Sequence, residues 1–292
     1  MLKKSLSIII LIIILSLSLT GCYDARSLES LSYAIAMGID EGEDSLLKIT
    51  FQLAINKSNA GSSTEESQNS TISSIECNSI DDGITLLNSH ISKKLNLSHC
   101  KIIVFSESIA QKGIQSYINT LSNKVEIRPD CNIIISKCSA KDFLENSKPT
   151  LESLTARYYE VLLSSKEYTA LTPNITLAEF VSDLKSSSTE AMAILGGIKT
   201  DESTKADNNL TIYDADFSYK ASEVPIEDKT SIEVLGIAVF KGFQLVGELN
   251  ALDSVCYHII NNNLDYCTLS IPSPFSELRY KHTSTTRKKH NK

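Results

Sequence analysis

Two short apolar runs, set among amphipathic segments, constrain the fold of this chain more than any other feature. Lys101–Phe105 and Asn132–Ser136 are rich in β-branched residues, as strands buried on both faces are. Ahead of them, Ser79–Leu97 repeats isoleucine and leucine at helical spacing, and Ser79 followed by Asp82 is typical of a helix start. Because helices and buried strands alternate, the sequence predicts an α/β layer with neighbouring parallel strands.

The flanking segments add further elements to this prediction. Leu47–Asn56 alternates like a half-buried strand, and Arg26–Met37 has the spacing of a short helix. Lys57–Ser74 is polar and is predicted to be a loop. Two further helices are predicted to begin at serine caps, one at Ser106 or Ser108 and one at Ser139, and two more are predicted over Leu151–Ser164 and Leu177–Lys185. The remaining predicted strands are Ala191–Ile198, Ser231–Phe240 and Leu245–Leu249.

This pattern predicts a mixed α+β or α/β protein. We expect an N-terminal α/β domain with a short mixed sheet and several helices, followed by the start of a second, incomplete domain. The polar segment that begins at Thr200 is typical of an interdomain linker. The expected divisions are a leader over 1–21, the N-terminal domain over 22–198, a linker over 199–230, the second domain over 231–278 and a disordered basic tail over 279–292.

The N-terminus carries an export and lipidation signal. Lys3 and Lys4 precede an apolar stretch, Leu6–Leu19, which has the length of a signal-peptide core and is short for a membrane span of about 20 residues. The stretch ends in Leu-Thr-Gly-Cys, the pattern of a bacterial lipobox. We therefore expect cleavage between Gly21 and Cys22 and attachment of diacylglycerol and a further acyl chain, such as palmitate, to Cys22.

The charge is divided unevenly along the chain. Residues 22–278 carry a net charge of −15, so the body does not suit nucleic acid, whose binders neutralise phosphates. Residues 279–292 hold six basic residues and neither an acid nor an aliphatic residue. Such a tail cannot cover the apolar strands before it, so we expect the second domain to be truncated. A polybasic tail that contacts anionic lipid is the competing interpretation.

No catalytic, metal or cofactor motif stands out. The sequence lacks a nucleophile elbow and a phosphate-binding glycine loop, and the clusters of acids such as Glu41–Asp44 are predicted to be solvated turns. His90, His99 and His258 are interpreted as ordinary surface or strand-end residues. The sequence predicts buried free thiols at the six cysteines beyond Cys22, with Cys131–Cys138 and Cys256–Cys267 as the pairs to check for disulfides; these six are Cys77, Cys100, Cys131, Cys138, Cys256 and Cys267.

Several collinear motifs resemble one known family. The run Gly-Cys-Tyr-Asp from Gly21 and the run Ala-Met-Gly-Ile-Asp ending at Asp40 are similar to the mature start of the Ger(x)C lipoproteins. Ser98–Phe105 resembles the family's strand Gly-His-Leu-Lys-Val-Ile-Val-Ile, and Leu235–Gly247 resembles its entry into the C-terminal domain. Tyr23 stands where the family has Trp.

The resemblance implies a function. Ger(x)C proteins are the C subunits of spore germinant receptors and are not enzymes. They sit on the outer face of the spore inner membrane beside a multi-helix A subunit and a transporter-like B subunit. By resemblance we expect docking on those subunits and on the bilayer through Cys22, with no cofactor and an unknown ligand-binding site. An extracytoplasmic solute-binding lipoprotein is the alternative, and a lipid-anchored hydrolase or thiol enzyme is a third class.

The lipobox generates the first prediction. Cys22→Ala removes the only thiol that the lipobox places for diacylglycerol, so the protein should stay uncleaved or be shed from the membrane. Fractionation of cells followed by a high-salt wash measures this. A Cys22→Ala protein that is cleaved normally and stays with the membrane would show that the lipoprotein assignment is wrong.

Overall fold

The computed structural model describes most of the chain between Ser30 and Lys281. The described ranges are 4–7, 9, 30–55, 70–149, 151–164, 169–199, 219–224, 232–264, 266–271 and 278–281. By internal contacts the chain divides into two units, Met1–Leu31 and Ser32–Lys292. Residues 4–7 and 9 are helical. Within the ranges given above, no helix combines the length and apolarity needed to cross a bilayer.

One mixed sheet organises the second unit. Its spatial order is β3-β2-β1-β5-β6-β7-β8-β9, with β4 paired to β1 off this path. Three neighbouring pairs are parallel, namely β1 with β5, β5 with β6 and β6 with β7. The other four pairs in this order are antiparallel. The strands are β1 (Leu31–Glu41), β2 (Leu47–Ala54), β3 (Ser70–Cys77), β4 (Lys94–Asn96), β5 (Ile102–Ser106), β6 (Asn132–Ser136), β7 (Met192–Ile198), β8 (Ile232–Lys241) and β9 (Gln244–Leu249).

Helices cover both faces of the sheet. One face packs against α1, α2, α3 and α6 in the larger apolar core, and the opposite face packs against α4 and α5 in a smaller one. The mixed α/β prediction is therefore confirmed. The helices are α1 (Ile80–His90), α2 (Glu107–Lys112), α3 (Gln115–Asn123), α4 (Ala140–Glu145), α5 (Thr155–Leu163), α6 (Leu177–Leu184) and α7 (Ala251–Ile260).

The predicted helix over Arg26–Met37 is wrong, because residues 31–37 belong to β1. This strand lies in the middle of the sheet, antiparallel to β2 and parallel to β5. Residues 34–40 are buried on both sides of the strand, so no polar alternation marks it as a strand. The spacing of its apolar residues matched that of residues on one face of a helix, which explains the wrong prediction.

Other predictions are confirmed in type but corrected in extent. β2, β5, β6, β7, β8 and β9 form where strands were predicted. The helix that begins after Ser79 ends at His90 rather than Leu97, because Asn88 accepts a hydrogen bond from the Leu95 N–H and the chain continues into β4. The predicted loop over Lys57–Ser74 ends earlier, since β3 begins at Ser70, and residues 56–69 lie outside the described residues.

The helices after β5 and β6 begin near the predicted caps. Ser139 accepts a hydrogen bond from the Asp142 N–H, and Thr176 forms a reciprocal capping box with Glu179. The single helix predicted after Ser106 is two helices, α2 and α3. Gly113 separates them with a φ of 116°, a conformation that favours glycine.

The sheet continues across the expected linker. β8 pairs with β7 and β9 pairs with β8, and the Phe180 and Phe240 rings meet edge to face with centroids 5.2 Å apart, so β8 and β9 share the sheet and β8 shares the core of the N-terminal part. A separate two-stranded sheet, β10 (Thr268–Ile271) with β11 (Leu278–Lys281), includes the first residues of the expected basic tail. Residues 282–292 lie outside the described residues.

Two glycines in the hairpin of β8 and β9 differ in the space around them. Gly236 has a φ of 95°, and a Cβ there would lie 2.5 Å from the Leu249 carbonyl oxygen, so Gly236→Ala should lower the free energy of unfolding by about 2–3 kcal/mol. A Cβ at Gly247 meets nothing within 4 Å, so Gly247→Ala is the matched control and should change it by less than about 1 kcal/mol. Urea unfolding of the full chain measures both values. Equal losses would contradict this role for Gly236.

Candidate functional site

A cleft opens where β1, β5 and β6 end at the same edge of the sheet. After β5 the chain enters α2 on one face, whereas after β6 it enters α4 on the opposite face. Open α/β sheets bind ligands at such switch points, outside the carboxyl ends of the strands. The cleft has a volume of about 460 Å³, and its lining residues are Asp40, Glu41, Ser106, Glu107, Ser108, Gln111, Lys137, Cys138 and Ser139.

Asp40 forms the buried wall of this cleft. The residue is 5% exposed, and its two carboxylate oxygens accept hydrogen bonds from the N–H groups of Ala140 at 2.6 Å and Lys141 at 2.9 Å. Burial raises the pKa of this carboxyl group, although these hydrogen bonds and one with Ser106 oppose the rise. The carboxylate thus attaches the end of β1 to the beginning of α4.

An ionic network borders the cleft on the side of β9. The Lys137 ammonium lies 3.4 Å from a carboxylate oxygen of Glu223 and 3.7 Å from one of Glu248. Lys220 reaches the same oxygen of Glu248 at 3.0 Å. The network therefore connects the end of β6, the segment 219–224 and β9, three parts of the chain that are distant in sequence.

Glu107 adds a carboxylate at the start of α2. Burial, and then the negative charge of Glu248, raise the pKa of Glu107, while Lys137 and Lys220 oppose the rise. Gln111 donates a hydrogen bond to this carboxylate at 2.7 Å. Glu41, also in the lining, pairs with Lys112 at 2.7 Å and has a second buried oxygen without a hydrogen-bond partner among the described residues. The cleft thus presents ionic and hydrogen-bonding groups with an excess of carboxylates.

Cys138 is the thiol of the cleft. Its sulfur lies 3.1 Å from the Ser136 hydroxyl oxygen, and burial raises its pKa, so the thiol stays protonated at neutral pH. In the ranges that the structure describes, no group of three His, Cys, Asp or Glu side chains is placed to hold a metal ion.

The residues singled out in the sequence lie elsewhere. Gly21 and Cys22 are outside the described residues, so cleavage and lipidation stay predictions. His99 stacks edge-on against Tyr33 with ring centroids 4.7 Å apart, at the edge of the sheet opposite the cleft. The interpretation of His258 as a surface residue is wrong: it is 1% exposed, and its Nε2 lies 3.1 Å from the Thr172 carbonyl oxygen.

The acidic turn and the cysteines were placed more accurately. Glu43 and Asp44 are exposed between β1 and β2, and Glu76 accepts hydrogen bonds from both of their backbone N–H groups. Glu41 differs from the prediction, because it is the last residue of β1 and one of its carboxylate oxygens is buried. All six described cysteines are free thiols, but Cys256 is exposed and Cys138 is half-buried, so the prediction of burial is correct for the other four. Cys131 and Cys138 flank β6, and its five extended residues separate them by roughly 16 Å, too far for a disulfide.

The cleft itself was not predicted, because each of its residues has an ordinary local role. Glu107 and Ser139 belong to helix starts, and Asp40 precedes an acidic turn. One signal was present in the sequence: polar residues directly follow three buried strands, and parallel strands bring such residues to one edge.

Known proteins similar to this chain share one description. A family described as "Spore germination protein N-terminal domain" matches residues 24–199, which include β1 to β7. The putative spore germination protein YfkR of Bacillus subtilis is 23% identical over 216 residues, 72% of this chain and 55% of that protein. The spore germination protein GerQC of Bacillus cereus is 22% identical over 273 residues, 93% of this chain and 66% of that protein.

A third relative and one solved structure are also similar to this chain. The spore germination protein KC of Bacillus subtilis is 26% identical over 156 residues, 51% of this chain and 38% of that protein. The crystal structure of the GerBC protein matches 88% of this chain and 64% of that one, with 14% identity and a TM-score of 0.41. The matches cover between 38% and 66% of the length of these curated relatives, so this chain spans only part of them.

The position of Asp40 generates a pH-dependent prediction. In Asp40→Asn an NH₂ group faces one of the two backbone donors of α4, so the variant should lose about 1–3 kcal/mol of stability. A carboxyl group whose pKa is raised by folding binds more protons in the folded state, so its contribution to stability falls as pH rises through the folded pKa. The difference between parent and variant should therefore shrink as pH rises above the ordinary carboxyl pKa of about 4.

Urea unfolding of the full chain over this pH range measures the difference. Asp44→Asn, in the exposed turn between β1 and β2, is the matched control and should cost less than about 0.5 kcal/mol at every pH. A difference that grows with pH would contradict the assignment of Asp40 as a buried carboxyl group with a raised pKa.

Proposed function

The chain belongs to the Ger(x)C family of spore germination proteins, and from this membership we propose that it is a lipid-anchored, non-catalytic subunit of a spore germinant receptor. The observation that carries the proposal is the family match over residues 24–199, which takes in the cleft-forming ends of β1, β5 and β6. In this role the subunit docks on the membrane A and B subunits and supports nutrient-triggered germination.

The ionic border of the cleft supports docking on another protein. Lys137, Lys220 and Glu248 are held in place by one another, so a charged surface that meets them encounters groups already oriented. Preorganised charges favour specific and rapid association more than raw affinity. A polar cleft of this kind fits the rim of a protein interface better than a site that encloses a small molecule, which is usually lined by apolar groups.

The predicted lipidation of Cys22 would hold the chain at the membrane. Cys22 is nine residues before Leu31, where β1 begins, so the connecting chain spans at most roughly 30 Å. A lipid on Cys22 would thus keep the start of β1 within that distance of the bilayer surface. The proposed location is the outer face of the spore inner membrane.

The cleft also favours one second function, that of a solute-binding lipoprotein. Its volume of about 460 Å³ falls within the roughly 300–1,000 Å³ of small-molecule sites. The two functions differ in one measurement. Calorimetric titration of the full chain with amino acids, sugars and nucleosides should show no micromolar binding if the chain is a docking subunit, and would show it for a solute-binding protein.

Co-purification from spores tests the docking function. The full chain with an affinity tag, extracted from spore membranes in mild detergent, should recover the polytopic A and B subunits in comparable amounts. An unrelated tagged lipoprotein from the same membranes is the control for non-specific recovery. Recovery of the chain alone, at the level of this control, would overturn the proposal.

Variants of the ionic border sharpen this experiment. Glu248→Gln removes a charge that holds both Lys137 and Lys220, so it should reduce recovery of the A and B subunits at least about fivefold. Glu43→Gln, in the exposed turn between β1 and β2, is the matched control and should leave recovery unchanged. Equal recovery with both variants would place the docking surface away from the cleft.

A further inference from the structure

Two cysteines meet at the edge of the sheet opposite the cleft. Cys100 lies two residues before β5 and Cys131 lies directly before β6, and the register of these adjacent parallel strands pairs Ile102 with Asn132. The Asn132 N–H donates to the Lys101 carbonyl oxygen at 2.9 Å, which fixes the two strand starts side by side. Both thiols point into the same apolar core, where Cys100 is 2% and Cys131 is 1% exposed.

The two thiol groups lie against each other. The pKa of the Cys131 thiol is raised mainly by two effects, of which contact with the Cys100 side chain is the larger and burial the smaller. Each thiol also donates a hydrogen bond to a nearby carbonyl oxygen, Cys100 to that of Ile102 at 3.2 Å and Cys131 to that of Asn132 at 3.8 Å. The local backbone therefore holds both sulfur atoms at the junction of β5 and β6.

Cys100 also borders an opening to solvent. A small pocket of about 140 Å³ is lined by Cys100 with Lys101, Asp130 and Asn132 from the same strand starts, and with Glu160 and Leu163 from α5. Lys101 pairs with Glu160 at 2.6 Å across this pocket. Cys100 is thus the one of the two cysteines that lines this pocket, and Cys131 is not among its lining residues.

We propose that Cys100 and Cys131 are a disulfide-forming pair that ties the start of β5 to the start of β6. The oxidant is a low-molecular-weight disulfide. The Cys100 thiolate attacks one sulfur of this molecule and releases one small thiol, and the Cys131 thiolate then attacks the sulfur of Cys100 and releases the second. The two cysteines lose two electrons, the small disulfide gains them, and the two cysteine protons end on the two released thiols.

The other described cysteines are excluded as partners by their positions. Cys138 lies at the far end of β6, and Cys77 is at the end of β3, where it contacts the first turn of α1 at Gly83. Cys256 is exposed on α7, and Cys267 packs in a separate small core with Val255. The pairing between Cys100 and Cys131 closes a chain segment that contains α2 and α3, and this closure restricts the unfolded chain.

Thiol mapping of the full chain in detergent tests the proposal. The protein is incubated with reduced and oxidised glutathione at about pH 8, near the ordinary thiol pKa, in urea below the unfolding transition so that local opening occurs. It is then denatured, alkylated, digested and analysed by mass spectrometry. The expected product is a peptide that joins Cys100 to Cys131 and is two hydrogens lighter than the sum of the two reduced peptides. The Tm of the oxidised protein should be about 5–10 °C higher than that of the reduced protein, and a phosphine reductant should restore the original value.

Two variants separate this pair from a general effect of oxidation. In Cys131→Ala, Cys100 should retain one glutathione and the Tm should not rise on oxidation. Cys138→Ala is the matched control and should form the cross-link as the parent does. The exposed Cys256 reports when the reaction with glutathione is complete, because its adduct then reaches a constant level. The proposal is wrong if Cys100 and Cys131 are both still alkylated at that point. It is also wrong if a disulfide between other cysteines predominates. None of these outcomes depends on the receptor function.

Discussion

Burial of β1 on both faces and along both edges is the constraint on which the rest of the structure depends. β2 and β5 pair with its two edges, and residues 34–40 are buried between the two layers of helices. A Cβ at Gly38 would lie 3.0 Å from that of Ala140, so only glycine lets α4 pack this closely. Two residues on, Asp40 accepts hydrogen bonds from the start of the same helix. The central strand therefore positions both the smaller core and the wall of the cleft.

Local patterns predicted the elements that depend on local interactions. β5 and β6 are short apolar runs with clear limits, and α4 and α6 begin at serine and threonine caps whose hydrogen bonds are present. β1 was predicted as a helix, because a strand buried on both faces has no alternation and its small residues fit either structure. The end of α1 depends on β4 pairing with β1, a tertiary interaction that the helical spacing of Ser79–Leu97 does not contain.

The candidate site was less predictable than the fold, because it is assembled from separate segments. Asp40, Glu107 and Lys137 come from three strand ends, and only the parallel order β1-β5-β6 brings them to one edge. Lys220 and Glu248 join them from beyond a polar segment that was predicted to be an interdomain linker. The continuation of the sheet through β7 and β8 explains this, since β9 then packs beside α2 and places Glu248 near the cleft. Charges that are far apart in sequence carry no local pattern.

The two edges of the sheet perform different physical tasks, and the crossover between β5 and β6 connects them. At the carboxyl edge this crossover begins with Glu107, whose pKa is raised by burial and by Glu248. At the amino edge it ends at Cys131, against the thiol of Cys100. The five residues of each strand separate these points by roughly 16 Å. A covalent bond at the amino edge would therefore restrain α2 and α3 without altering the ionic groups of the cleft, so stability and recognition can change independently in this fold.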